Sequence, residues 1–257
     1  GTMDNDVLWK PDAKAAAASG LAAFARVNGF DPDDYRTLHA WSVSDLGAFW
    51  SALWDFAGVV GDKGETAFVP ADDAWMTGAR FFPEARLNFA ENMLARLSGD
   101  VALYCADEAG DIEEIAGTDL ERQVARVAEG LRAAGVAPGD RVAGIMPNTR
   151  EALVALLATA AIGGTWTSCS PDFGTAAIVD RIGQVEPKIL FVTPAYRYAG
   201  KSHDIAERVR EIVGRMPSVT LVVSSGGDAG SLQPLSVPVA VQAEFGDDVP
   251  LAYERVP

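Results

Sequence analysis

The side chains with the clearest chemical potential are basic residues in the second half of the chain. Positions 181–215 hold seven basic and four acidic residues, a local positive excess in a chain whose net charge is −15. Arg197 and Lys201 follow a strand predicted over 188–193 and precede a helix predicted over 202–216. Ligands bind outside the carboxyl ends of parallel strands, and cations there suit a phosphate. The pair is therefore a candidate phosphate-binding site, with solvated surface charge as the alternative.

No complete catalytic motif accompanies these cations. The sequence has no G-x-x-x-x-G-K-[ST] phosphate loop, no G-x-G-x-x-G and no G-x-S-x-G nucleophile elbow. The Gly- and Ser-rich run over 224–231 has no Lys and no clear helix after it, which favours a surface loop. His39 and His203, with Cys105 and Cys169, form no metal-binding pattern. We therefore predict no catalytic residue and no metal site within these 257 residues.

The elements that would position the cations lie in the second of two regions. Residues 1–99 are rich in aromatic side chains, and their apolar spacing predicts short helices over 12–27, 42–56 and 88–97. Ser42 and Asp45 give a capping signal for the second of these helices. We expect its apolar stripe to bury against the second region; the stripe consists of Val43, Phe49, Trp50, Leu53 and Trp54.

Residues 100–257 alternate between short apolar strands and amphipathic helices. This alternation predicts right-handed crossovers and a mostly parallel sheet. Thr118 with Glu121, and Asn148 with Glu151, predict capping boxes at the first two helices. Strands are predicted over 101–105, 112–115, 141–146, 165–169, 188–193, 219–224 and 237–242. We therefore expect an α/β fold, a mostly parallel sheet with flanking helices, preceded by an aromatic-rich and mainly helical segment.

Composition narrows the classes of function. A chain of 257 residues forms one large or two modest domains. A net charge of −15 disfavours non-specific binding to nucleic acid or acidic membranes. The longest apolar run, 152–162, is too short to span a bilayer, and no secretory signal opens the chain. We expect a cytoplasmic protein with small-molecule substrates, bound neither to nucleic acid nor to a membrane.

Several motifs, in order along the chain, resemble one known family. Nearly all of residues 9–223 resemble the amino-terminal segment of the adenylate-forming acyl-CoA synthetases. Trp166–Gly174 and the Tyr-Arg-Tyr run at 196–198 are more similar to the acetoacetyl-CoA synthetases than to the acetyl- and propionyl-CoA synthetases. The resemblance rests on Ser42–Phe56, Arg80–Asn92 (RFFPEARLNFAEN), Gly139–Val142, Met146–Asn148, Ser170–Gly174 (SPDFG), Asp180–Arg181 and Tyr196–Lys201 (YRYAGK).

The resemblance implies a two-step ligase reaction. A carboxylate attacks the α-phosphate of ATP to give an acyl-adenylate and pyrophosphate, and the thiol of CoA then displaces AMP. Mg²⁺ would shield the phosphate charge. The resemblance also implies that Arg197 and Lys201, with the turn Ser170, Pro171 and Asp172, bind the phosphorylated adenosine end of CoA. That turn departs from the acetyl-CoA relatives, which carry an aromatic residue and glycines there.

The family's Ser/Thr/Gly-rich ATP loop is expected shortly after Arg255, with the adenine motif, the acyl pocket and the adenylation lysine further on. We therefore expect the chain to be the first part of a synthetase, inactive by itself. Two interpretations from other classes stay open. One is a nucleotide-dependent oxidoreductase, against which the missing G-x-G-x-x-G weighs. The other is a non-catalytic α/β scaffold or interaction module. The acid activated also stays open, with a ligase of the acetyl- or propionyl-CoA synthetase type as the alternative. The oligomeric state stays open as well.

Overall fold

The computed structural model describes residues 8–72, 76–97 and 100–257. The chain divides into two compact units, Gly1–Arg86 together with Pro257, and Leu87–Val256. The sequence places the domain boundary at residue 99 instead, and this division into 1–99 and 100–257 stays a prediction.

The first unit consists of short helices followed by two-residue strands. Strands β2 and β3 pair antiparallel, with Phe68 opposite Phe81. A 3₁₀ turn covers Met76–Gly78. The elements are α1 (Ala13–Ala17), α2 (Gly20–Val27), α3 (Tyr35–Ser44), α4 (Leu46–Ala57), β1 (Gly61–Asp62), β2 (Phe68–Val69), β3 (Arg80–Phe81) and β4 (Arg86–Leu87), which begins at the unit boundary.

Local capping divides the helices that the sequence predicts as continuous. The predicted helix over 12–27 is two helices, because the Ser19 hydroxyl accepts the N–H of Ala22 and begins α2. The prediction that Ser42 opens a helix is wrong, since Ser42 lies inside α3. Asp45 caps α4 instead, and its carboxylate accepts the N–H of Ala48 at 2.9 Å.

The core of the first unit is an aromatic cluster between α2, α3 and α4. Phe24 is 4% exposed, and its ring lies 5.8 Å from that of Phe49. The ring of Trp50 lies 5.7 Å from Phe81, also in this unit. The expectation that Val43 is buried is wrong, because this side chain is 60% exposed. Phe49 and Trp50 of the predicted apolar stripe therefore contact aromatic rings of the first unit itself.

The second unit contains the predicted alternation of strands and helices. Two further 3₁₀ turns cover Ala229–Leu232 and Gln242–Glu244. The elements are α5 (Phe89–Leu94), β5 (Val101–Ala106), β6 (Ile112–Ala116), α6 (Gly117–Ala133), β7 (Arg141–Ile145), α7 (Arg150–Ala161), β8 (Thr165–Cys169), α8 (Thr175–Gly183), β9 (Ile189–Val192), β10 (Ala195–Tyr198), β11 (Lys201–Asp204), α9 (Ala206–Gly214), β12 (Leu221–Ser224) and β13 (Val239–Val241).

Five of these strands form a parallel sheet in the order β13-β12-β9-β7-β8, which confirms the predicted α/β fold. Its two faces bury different helices. Phe191 packs in a cluster with residues of α5, α6 and α7, whereas its neighbour Leu190 packs in a cluster with residues of α8 and α9. This alternation follows from the two-residue period of a strand. The chain order reverses between β7 and β9, and ligands of open α/β sheets bind at such a position.

The predicted capping boxes are absent, because each helix begins at a different residue from the one predicted. Ala116 precedes α6, so Thr118 lies within the helix. Thr149 precedes α7, so Asn148 lies one residue too early to cap it. In neither helix does a side chain bond the first-turn amides at the capping position. Within the described residues, no helix is both long and apolar enough to cross a membrane.

Candidate functional site

The predicted basic pair lies on a β-hairpin. Strands β10 and β11 pair antiparallel and are joined by Ala199 and Gly200, whose φ values of 51° and 70° are those of a type I′ turn. The prediction of a helix over 202–216 is wrong for residues 202–205, which precede the helix. Helix α9 begins only at Ala206, whose N–H is accepted by the Asp204 carboxylate at 2.9 Å. Lys201 is therefore not at a helix N-terminus.

The hairpin projects from the carboxyl end of β9, beside the position where the strand order reverses. It belongs to a two-stranded sheet of its own rather than to the five-stranded sheet. The N–H of Ile205 donates to the carbonyl of Pro194 at 2.8 Å and closes the base of the hairpin. The rings of Tyr196 and His203 stack across the strands at 5.2 Å. The location confirms that these residues follow a sheet strand at its carboxyl end.

The register places the two cations on opposite faces of the hairpin. Arg197 is opposite Ser202, and Tyr198 is opposite Lys201. Directly opposed residues share a face and successive residues alternate, so Arg197 and Lys201 project in opposite directions. Both side chains are exposed. Within the described residues, neither makes a hydrogen bond or an ion pair, which leaves both charges available to a ligand.

The turn that completes the expected site lies at the carboxyl end of β8, the edge strand of the sheet. Ser170 and Asp172 are exposed, whereas Pro171 is buried. Pro171 also lacks an N–H, so neither its side chain nor its backbone nitrogen can donate to a phosphate. The Asp172 carboxylate adds negative charge. This turn alone is thus a poor phosphate-binding site, although its Ser170 hydroxyl can bond a neutral group.

Phe173 fixes this turn to the two helices behind it. The guanidinium carbon of Arg181 lies 4.7 Å from the centre of the Phe173 ring, a cation–π contact. Arg208 donates to the Phe173 carbonyl at 2.8 Å. These two arginines of the basic region therefore support the turn.

Cys169 directly precedes the turn and is half-buried. Burial raises the pKa of its thiol to about 11, so almost none of it is thiolate at neutral pH. Within residues 8–72, 76–97 and 100–257, no group of three or more His, Cys, Asp or Glu could hold a metal ion. The chemistry offered by the described site is binding by cations and hydroxyls.

Comparisons with known proteins identify the family of the chain. Residues 90–248, more than half of the chain, match the family described as AMP-binding enzyme. The chain belongs to the AMP-binding enzyme family. It is 40% identical to the acetoacetyl-coenzyme A synthetase of Rhizobium meliloti (strain 1021), over 97% of the chain and 39% of that enzyme. The resemblance to acyl-CoA synthetases is therefore confirmed.

Two further relatives extend the comparison. The structure of acetoacetyl-CoA synthetase from Streptomyces lividans matches with a TM-score of 0.86 and 37% identity, over 97% of the chain and 39% of that structure. The malonamoyl-CoA synthetase of Penicillium aethiopicum is 36% identical, over 85% of the chain and 31% of that enzyme. The chain thus spans about two fifths or less of the length of these relatives.

Sequence reasoning missed a buried polar network centred on Asn88. Asn88 is 1% exposed, and its amide donates to the carbonyls of Glu254, Ala160 and Ala161 at 2.7, 2.7 and 3.1 Å. Its side-chain oxygen accepts the N–H of Glu91 and caps α5. The network fixes the 251–256 segment against α7.

An ion pair supports the same segment. Arg255 donates two bonds to the Glu91 carboxylate, at 2.8 and 2.9 Å. The hydrogen bond from Arg255 lowers the pKa of Glu91. The only sequence signal for this network is the Arg80–Asn92 motif, which contains both Asn88 and Glu91.

Proposed function

We propose that this chain forms the amino-terminal part of an acetoacetyl-CoA synthetase. The reaction joins acetoacetate to CoA at the expense of ATP, through an acetoacetyl-adenylate, and releases pyrophosphate and AMP. The similarity to two proteins of that name, one of them a solved structure, supports this proposal. The two free cysteines fit the reducing environment of the cytoplasm, where we propose that the enzyme acts.

The observation that carries the role of this chain is the β10–β11 hairpin at the carboxyl side of the sheet. Within the described residues, the side chains of its two exposed cations make no hydrogen bond and no ion pair. CoA carries a 3′-phosphate and a diphosphate, and cations bind such groups through charge-assisted hydrogen bonds. Because Arg197 and Lys201 lie on opposite faces, we propose that they contact different phosphate groups.

The 170–172 turn would complete the coenzyme site through neutral contacts. The Asp172 carboxylate repels phosphate, so this turn suits the ribose or the base better than the charged groups. The Ser170 hydroxyl can donate to a sugar oxygen or accept from a base amine. Phe173, held by Arg181 and Arg208, keeps the turn in place during binding. These residues bind and orient CoA but transfer no proton.

We propose that adenylation depends on residues outside these 257. The chain contains no Ser/Thr/Gly-rich loop ending in Pro-Lys, and it matches about two fifths or less of each relative. Mg²⁺ bound to ATP would offset the charge on the phosphates. The 257-residue chain alone should therefore give no acid-dependent exchange of labelled pyrophosphate into ATP. Exchange above background with acetoacetate would show that the chain adenylates by itself.

The complete synthetase carrying this chain tests the coenzyme site. Arg197→Glu should raise the KM for CoA at least about tenfold, since loss of a charge-assisted bond and new repulsion act together. Pyrophosphate exchange should be unchanged, because adenylation needs no CoA. The control is Arg96→Glu, which makes the same change in net charge at an exposed arginine distant from Arg197 in the sequence. It should leave both the KM for CoA and pyrophosphate exchange unchanged. An unchanged KM in the Arg197 variant would contradict the proposal.

The assignment to separate phosphates has its own test. If Arg197 and Lys201 contact different groups, the rises in KM caused by Arg197→Ala and Lys201→Ala should multiply in the double variant. A double variant no worse than the worse single variant would indicate one shared phosphate.

The similarity to malonamoyl-CoA synthetase favours a second candidate, a ligase for another small acid. The values of kcat/KM for acetoacetate, malonamate, acetate and propionate decide between the two. A preference for acetoacetate supports the proposal, and equal or better use of another acid contradicts it.

A further inference from the structure

One contact of the β10–β11 hairpin is explained neither by coenzyme binding nor by the sheet. Glu108, in the turn between β5 and β6, lies ninety-one residues before Ala199 in the sequence. Its carboxylate accepts the backbone N–H of Ala199 at 2.7 Å and that of Gly200 at 2.9 Å. Each carboxylate oxygen therefore bonds one of the two turn residues. We propose that Glu108 is a positioning residue for CoA, which holds the hairpin carrying Arg197 and Lys201; this inference rests on the proposed function.

The hairpin needs such support because its own structure is weak. It has four residues in each strand and belongs to no larger sheet. Two-stranded hairpins are marginally stable in water. In addition, Ala199 has a φ of 51°, a left-handed conformation that is unfavourable for a residue with a Cβ. Such a conformation persists where neighbouring groups hold it, and Glu108 bonds the N–H of that residue.

The electrostatics favour the ionised form of Glu108. The hydrogen bonds from the N–H groups of Gly200 and Ala199 lower the pKa of this carboxyl, and the charge of Arg197 lowers it further. Glu108 is thus a carboxylate at neutral pH, and both turn bonds are charge-assisted. It uses backbone donors only, so the side chains of Arg197 and Lys201 stay exposed and available to phosphate.

A competing role gives the opposite result. Two adjacent N–H groups can bind an anion, so Glu108 could occupy a place that a phosphate would take. Removing its charge would then tighten CoA binding. A positioning residue predicts weaker binding, because the hairpin samples conformations that separate the cations from their phosphates. The sign of the change in KM separates the two roles.

The test is Glu108→Gln in the complete synthetase, with Glu114→Gln as the matched control. Glu114 is an exposed glutamate of β6, on the same β5–β6 hairpin, with Tyr104 opposite it. We expect Glu108→Gln to raise the KM for CoA about two- to fivefold, the range of an exposed charged contact. Pyrophosphate exchange should be unchanged, and Glu114→Gln should change neither measurement. A lower KM, or a KM equal to that of the control, would overturn the inference.

Two further measurements separate positioning from general damage. The amides of Ala199 and Gly200 should exchange hydrogen faster in Glu108→Gln, and unchanged rates would overturn the inference. Ala199→Asn gives the Asn-Gly pair that a type I′ turn favours. Added to Glu108→Gln, it should restore the KM for CoA at least in part; no recovery counts against positioning.

The Arg197→Glu variant distinguishes failure of this inference from failure of the proposed function. If Arg197→Glu and Lys201→Ala both leave the KM unchanged, the hairpin does not bind CoA and both proposals fall. If Arg197→Glu raises the KM while Glu108→Gln does not, only the positioning role is refuted.

Discussion

Asn88 offers the sharpest test of how the second unit is held together. The substitution Asn88→Ala removes two kinds of bond at once. It deletes the side-chain oxygen that caps α5, and it deletes the amide that donates to the carbonyl of Glu254. The carbonyls of Ala160 and Ala161 keep backbone donors, the N–H groups of Gly163 and Glu254. The Glu254 carbonyl loses the donor that Asn88 provides.

The magnitude follows from these two losses. A lost N-cap costs about 1 kcal/mol. A partly buried carbonyl left without its donor costs about 1–3 kcal/mol. We therefore expect Asn88→Ala to lower the free energy of unfolding of this unit by about 2–4 kcal/mol. Native-state hydrogen exchange of the buried amides of β7 and β9 measures this quantity, because such core amides open with the whole unit.

Two variants make the measurement decisive. Asn148→Ala, at an exposed asparagine of the same unit, should change stability by less than about 0.5 kcal/mol. Asn88→Asp keeps a good capping residue but replaces the donating amide with a carboxylate that repels the three carbonyls. It should therefore cost at least as much as Asn88→Ala. A loss below about 1 kcal/mol for Asn88→Ala, or wild-type stability for Asn88→Asp, would refute the network argument.

Three further predictions concern other parts of the chain. Alkylation of Cys169, followed by mass spectrometry, should speed up about tenfold per pH unit from pH 7 to 10, because its pKa is about 11; a plateau near pH 9 would contradict this. Phe24→Ala should cost about 3–5 kcal/mol in urea unfolding, and Trp50→Ala less, because Trp50 is 39% exposed. The hydrogen bond from Arg255 lowers the pKa of Glu91 in the folded protein below its ordinary value of 4.5. The ion pair therefore stabilises the fold fully at pH values above 4.5, and this stabilisation is lost as the pH falls through the lower pKa of the folded state. Glu91→Gln should thus destabilise at pH 7, and the difference from wild type should shrink in acid.

The sheet could be predicted because its signals are local. Strand β8 covers Thr165–Cys169, the predicted range residue for residue, since glycines precede it and Ser170-Pro171 follows it. Strand β9 is a short run of fully buried apolar residues between polar segments. The parallel arrangement follows from the intervening helices, because a crossover of that length permits it.

The site could be predicted only in part, because its geometry depends on pairing between distant residues. The spacing of polar and apolar residues over 202–216 is helical, yet Lys201–Asp204 forms a strand once it pairs with β10. The opposite faces of Arg197 and Lys201 follow from the register, which no local pattern contains. The Asn88 amide bonds Glu254, a residue 166 positions away. Composition and spacing cannot reveal such a contact.

The hairpin links coenzyme binding to the stability of its own turn, and the linkage must act in both directions. If the Glu108 bonds raise the affinity for CoA, then bound CoA must favour the formed Glu108 bonds by the same factor, because coupling between two equilibria is reciprocal. Saturating CoA should therefore slow hydrogen exchange at Ala199 and Gly200 in the complete synthetase, by about the factor by which Glu108→Gln weakens CoA binding. In Glu108→Gln itself this coupling is reduced, so CoA should protect the turn less. Equal protection in both proteins would mean that CoA orders the hairpin without help from Glu108.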